Sequence, residues 1–110
     1  MADDSGLYEV KKRDTLVEAP GLRVRHFELT PDQGVPWHTH TEIDDTFVVL
    51  DGPLIVETRN PDARNKLATG DIFKVPAGQP HYVHGDDGPV RFIILQGVGT
   101  YDFVPINVDT

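Results

Sequence analysis

Along the chain, short apolar and β-branched runs alternate with polar positions and are cut by Gly-, Pro- and Asp-rich turns. "TLVE" leads into Pro20-Gly21. "LRVRHFEL" sets Leu22 and Val24 against Arg23 and Arg25, then changes phase near His26, as a strand with a bulge or an end would. "TFVVL" stops at Asp51-Gly52-Pro53 and resumes as "LIVETR"; "DIFKV" is stopped by "PAGQP", and "HYVH" is closed by "GDDGP". "VRFIILQ" is the most apolar run and is predicted to lie deepest. "TYDFVPINV" reads as a final edge strand interrupted by Pro105. "TPDQGVP" reads as a turn and "NPDARNK" as a loop. Strand signals recur about every eight to twelve residues, the spacing of a β-sandwich or barrel. No window carries a sustained helical period, so the pattern predicts an all-β fold.

A chain of 110 residues has the size of one domain. Its polar start, Met1 to Gly6, is predicted to be flexible, with a single barrel domain over 7–110. The many Gly and Pro residues demand many turns, which again favours β structure over a helical bundle. A net charge of -8 repels phosphate backbones and argues against nucleic acid as a partner. No apolar run reaches the length of a membrane span or resembles a secretory leader, so a cytoplasmic protein is expected. Cysteine is absent. Disulfides, thiolate ligands and a Cys nucleophile are thereby excluded, and any metal must be held by His, Asp or Glu.

That last point gives weight to "GVPWHTHTEIDD", residues 34 to 45. Alternate side chains of a strand share a face, so His38 and His40 form a pair able to converge on one ion. A strict strand would put Glu42 next on that face; with the register broken in the polar "TEID", Asp45 instead shares a face with Phe47 and Val49 and has a route inward. His81 follows a Gly- and Pro-rich turn at the start of another strand, which a barrel could place beside the first. Two His, a carboxylate and a distant third His compose an open nitrogen/oxygen site. A lone His-x-His is common by chance; the second segment raises its significance.

These residues resemble the two motifs of the cupin superfamily. The first is Gly, five residues, His-x-His, three or four residues, Glu, six residues, Gly; here Gly34, His38, His40, Asp45 and Gly52 stand in that order. The second is Gly, five residues, Pro-x-Gly, two residues, His, three residues, Asn; Gly70, Pro76, Gly78 and His81 match its spacing without a gap. Three departures stand out. The gap from Gly34 to His38 is three residues, Asp45 replaces the usual Glu and is one methylene shorter, and Gly85 occupies the place of the closing Asn. The shorter Asp45 leaves open a three-histidine-like or water-bridged site. His84 has the opposite parity to His81 and is expected outside it. The resemblance implies a double-stranded β-helix with one divalent metal held inside by His38, His40, Asp45 and His81.

Imidazole with carboxylate suits Fe, Mn, Ni, Cu or Zn better than Mg or Ca. The expected function is therefore a metal-dependent enzyme acting on a small oxygenated organic molecule, with dioxygenase-type chemistry favoured. A cyclase, isomerase or lyase of the cupin type and a non-catalytic small-molecule binder are the alternatives. Trp37, Phe47, Phe92 and Gln96 are candidates to line the substrate pocket, and Glu42, Asp44 and Tyr82 to act as acid or base. Arg23, Arg25 and Arg91 could bind an acidic substrate, although such residues more often sit on solvated strand faces. The final strand has an unpaired edge, from which a homodimer is expected.

Overall fold

A computed structural model describes residues 7–107. The expectation of a flexible Met1–Gly6 falls outside the described residues. Ten strands follow in chain order: β1 (Lys12–Ala19), β2 (Leu22–Leu29), β3 (Gly34–Thr39), β4 (Asp44–Asp51), β5 (Leu54–Thr58), β6 (Ala63–Leu67), β7 (Ile72–Val75), β8 (His81–Gly85), β9 (Val90–Gly97) and β10 (Val104–Pro105). Among the described residues there is no helix. The strands form two five-stranded sheets, ordered β1-β2-β9-β4-β7 and β10-β3-β8-β5-β6, and every pairing is antiparallel. The all-β expectation holds.

Inward positions of both sheets meet in a core that includes Phe27, Leu29, Val49, Leu54, Val56 and Phe92. The Phe27 and Phe92 rings stack at 5.6 Å, and Phe47 sits 6.0 Å from Phe92. Full burial of such a side chain stabilises the fold by roughly 1.5–3 kcal/mol. Phe47 also lies 6.3 Å from the ring of His81. The apolar core and the histidines are thus continuous.

Several elements differ from the sequence expectations. In "NPDARNK" the second half pairs with β5 as β6, in register Leu54↔Leu67 to Thr58↔Ala63. It is an edge strand exposed along most of its length, so no hydrophobic alternation marks it. The turn in "TPDQGVP" ends early, and β3 begins at Gly34. The most apolar run, β9, is central in its sheet, yet Arg91 and Leu95 on its outer side are exposed. The "LRVRHFEL" strand shows no change of phase: Arg23, Arg25, Phe27 and Leu29 are all buried on one face, and the register shift lies on β1 between Thr15 and Val17. The guanidinium groups therefore point into the molecule.

A second irregularity positions the site. Val35 pairs with Val83 and His38 with His81, so β3 spends three steps where β8 spends two. The extra residue is a bulge at Pro36–Trp37, and it reverses strand parity. Val35 and His38, three apart, both face inward as a result. Pro36 is exposed there, where no ladder hydrogen bond is required of it.

Candidate metal centre

Three histidines from one sheet and one carboxylate from the other meet in the interior. His38 lies on β3, His40 just past its end, and His81 starts β8 directly opposite His38. The turn before His81 needs Gly78 at φ +84°, a conformation that costs glycine least. The Gly78 N–H donates to the His40 carbonyl at 2.8 Å, tying the two histidine segments together. Asp45 comes from β4 in the facing sheet, paired with Gln96 of β9. All four side chains are 1–2% exposed, and their ligand atoms lie within 4.8 Å of one another. Asp45 Oδ2 stands 2.8 Å from His81 Nε2, 3.0 Å from His40 Nε2 and 3.9 Å from His38 Nε2. Donors about 2.1 Å from a common ion stand about 3 to 4 Å apart. Small inward adjustments would seat all four on one cation.

The outer nitrogens explain why these rings suit a metal. Each Nδ1–H donates to a backbone carbonyl: His38 to Pro36 at 2.6 Å, His40 to Asp102 at 2.5 Å and His81 to Gln79 at 2.9 Å. A carbonyl only accepts, so the proton sits on Nδ1 and the neutral ring aims the Nε2 lone pair inward. This is the usual support for a metal-binding imidazole. Hydrogen bonds from Nε2 to Asp45 would instead require doubly protonated rings.

Electrostatics follow from this packing. Burial works to raise the Asp45 carboxyl, but the rings of His38, His40 and His81, donating to it through Nε2 when they carry a second proton, outweigh burial and hold the group well below 3.8. Burial lowers His38 from 6.5 and dominates its contact with Asp45. At His40 burial also acts downward, but Asp45 and the Asp102 carbonyl overcome it and raise the ring above 6.5.

A polar relay backs the carboxylate. Gln96 Nε2 donates to Asp45 Oδ1 at 3.0 Å, while Gln96 Oε1 accepts from Arg25 Nε at 3.2 Å and Nη2 at 3.0 Å. Arg25 Nη2 also donates to the Tyr101 hydroxyl at 3.3 Å. From the other side, the segment ahead of β10 covers the histidines. Phe103 stacks on His38 at 4.4 Å and 16°, and Asp102 fixes this segment by accepting from the Thr41 N–H at 2.8 Å.

Of the expected pocket residues, Phe47 and Gln96 face the cavity at the histidines. Trp37 does not: the bulge leaves it on the outer face, against Tyr82 at 5.9 Å and under the Arg59 guanidinium at 4.4 Å. Phe92 is core, stacked on Phe27 away from the cavity. Glu42 is exposed, Asp44 binds Lys74 and the Ala77 N–H, and Tyr82 stacks on His84. None of the three reaches the histidines. His84 faces outward as expected, 2.6 Å from Glu57. Gly85 replaces the motif Asn because a Cβ there would meet the Gly88 carbonyl oxygen at 2.5 Å. Arg25, Tyr101 and Phe103 are the site residues that sequence reading underrates. The spacing Tyr101-x-Phe103 in a strand-like run was the available signal for the latter two.

Two antiparallel sheets enclosing an inward His-His-Asp-His set define the double-stranded β-helix class. The family model described as "Cupin domain" matches residues 25–96, and the chain belongs to the cupin family. It is 32% identical over 77 residues to auxin-binding protein ABP19b of Prunus persica, covering 66% of this chain and 37% of that relative's length. Its fold is similar to a Klebsiella pneumoniae protein with a double-stranded β-helix domain, at TM-score 0.73, 24% identity and 84% and 81% coverage of the two chains. It is also similar to an oxalate oxidase, at TM-score 0.69, 17% identity and coverage of 78% of this chain and 46% of that one.

Proposed function

We propose that the protein is a metal-dependent enzyme that holds one divalent transition ion through His38, His40, Asp45 and His81 and acts on a small oxygenated organic molecule. The observation that carries this reading is the set of three Nδ1–H groups fixed on backbone carbonyls, which leaves three Nε2 lone pairs and one carboxylate aimed at a single point. In that tautomer the neutral rings have no attraction for the carboxylate that would hold them so; a cation bound among them supplies it. Bound there, such an ion would act as a Lewis acid or as a centre for dioxygen chemistry. The chain's own contribution is to fix the ligand tautomers, to orient Asp45 through Gln96 and Arg25, and to exclude water with Phe47 and Phe103.

Dioxygenase-type chemistry is favoured within this reading because Glu42, Asp44 and Tyr82 all lie away from the histidines. Isomerisation or lyase chemistry asks more of a separate acid or base. The same observation supports the second reading, a non-catalytic small-molecule binder. Exposed Leu16, Leu22, Ile72 and Leu95 on the first sheet support association as a homodimer.

The test is metal analysis of untagged wild type and His81→Ala, followed by oxygen uptake of iron-, manganese-, nickel- and copper-loaded protein with a panel of diketones, catechols and thiols. One equivalent in wild type and a loss in the variant support the site. Equal content in the two proteins removes His81 from it. Ligand binding without turnover under every metal leaves the binder reading in place of the enzyme.

A further inference from the structure

The cavity at the histidines measures about 10 Å³, the room of about one water molecule. No organic molecule fits there beside the four ligand groups. Next to it lies a pocket of about 400 Å³, within the range of small-molecule sites. Its walls include Pro20, Leu22, Arg23, Gln96, Thr100 and Tyr101. Gln96 belongs to both walls. Its side-chain amide holds Asp45 Oδ1 at 3.0 Å.

We infer that this pocket is a subsite for a small organic acid, with its carboxylate on Arg23 and its apolar body against Pro20 and Leu22, directed toward Gln96. Arg23 is only 7% exposed, although arginine is seldom buried without a specific role. Its guanidinium carbon lies 4.2 Å over the Tyr101 ring, and its Nε donates to Glu18 Oε1 at 3.2 Å. Stacking and ion pairing hold the planar fork in one orientation, the preorganisation that two-point carboxylate recognition uses. Arg25 lies behind it, 5.3 Å from the same ring. The lips are joined by the Gly99 N–H donating to the Gly21 carbonyl at 3.0 Å. Both glycines have positive φ, +147° and +79°, so side chains are kept out of the mouth.

This deepens the proposed function and rests on it for the bound acid being a substrate; binding itself does not require the ion. The experiment is a titration of ¹⁵N-labelled protein, chelator-treated and zinc-loaded, with benzoate and with neutral benzamide. Benzoate should shift the amides of Gly21, Arg23, Gly99 and Tyr101 in both forms. It should bind about tenfold tighter than benzamide or better, the factor a charge-assisted hydrogen bond supplies. Arg23→Gln should erase that preference and Arg23→Lys should retain part of it. Equal binding of acid and amide, or shifts confined to another surface, overturns the subsite. If Arg23→Gln does not fold, the wild-type comparison of acid with amide decides alone. Zinc uptake without a preference for benzoate sinks the subsite and spares the metal site. A preference for benzoate without zinc uptake supports the subsite and sinks the metal site.

Discussion

Replacing Gln96 with Leu isolates the relay behind the carboxylate. The substitution keeps approximate volume and deletes three hydrogen bonds: one to Asp45 Oδ1 and two from Arg25. Both partners are 2% exposed, so water does not replace what is lost. A buried polar group left short costs about 1–3 kcal/mol, and more when charged. Two such groups, offset by about 1 kcal/mol from the added apolar surface, give a net loss of about 1–5 kcal/mol. At about 4–8 °C per kcal/mol for a domain near this size, the thermal midpoint should fall by about 4 °C or more. Calorimetry of chelator-treated protein reads this directly. The decisive control is Arg25→Met. With Gln96 already replaced, removing the guanidinium should cost at least about 1 kcal/mol less than it does in wild type, because its acceptor is gone. Strict additivity of the two substitutions, or a midpoint within about 4 °C of wild type, would falsify the relay. In the metal-loaded form the same variant should bind zinc about 10–100-fold more weakly, the effect expected of a residue that orients a ligand.

Four further outcomes follow. Asp45→Asn removes the single negative ligand; competition against a chromophoric chelator should show zinc affinity reduced by about 100-fold or more, beyond the outer-sphere effect of Gln96. Because His40 is held above 6.5, an ion must displace a proton from it at and below that value, so zinc affinity should rise as pH increases through 6.5 and beyond, with proton release visible on comparing two buffers by calorimetry. In metal-free protein, Asp45 is held below 3.8, so its contribution to stability is in place above that value and is lost as pH falls through the depressed value; urea midpoints across this acid window should drop more for wild type than for Asp45→Asn. Trp37→Ala, on the outer face, should leave metal content unchanged while lowering the melting temperature through lost contact with Tyr82 and Arg59.

The legible parts of the sequence were those with a local signature. Short strand-like runs such as the β-branched and aromatic "TFVVL", with the turns between them, carried the fold class, and the order Gly34, His38, His40, Asp45 with Gly70, Pro76, Gly78, His81 carried the family. Arg23 and Arg25 misled because alternation assigns charge to the solvent side. Their inward direction depends on Gln96 and Tyr101, more than seventy residues away from Arg25, which no local window registers. Trp37 was a different failure. It adjoins His38, and strand parity alone places neighbours on opposite faces; proximity in sequence to a ligand was mistaken for proximity in space. β6 escaped notice because an exposed edge strand needs no apolar side.

The bulge at Pro36–Trp37 makes this centre a matter of counting as much as of chemistry. With both residues kept but the bulge straightened, His38 and His40 would turn toward the surface and Thr39 toward Asp45; deleting one of the two would instead restore regular pairing and leave His38 facing inward opposite His81. Two chains that differ by one residue at this point can therefore present the same ligands from the same face, one through a bulge and the other through a regular strand.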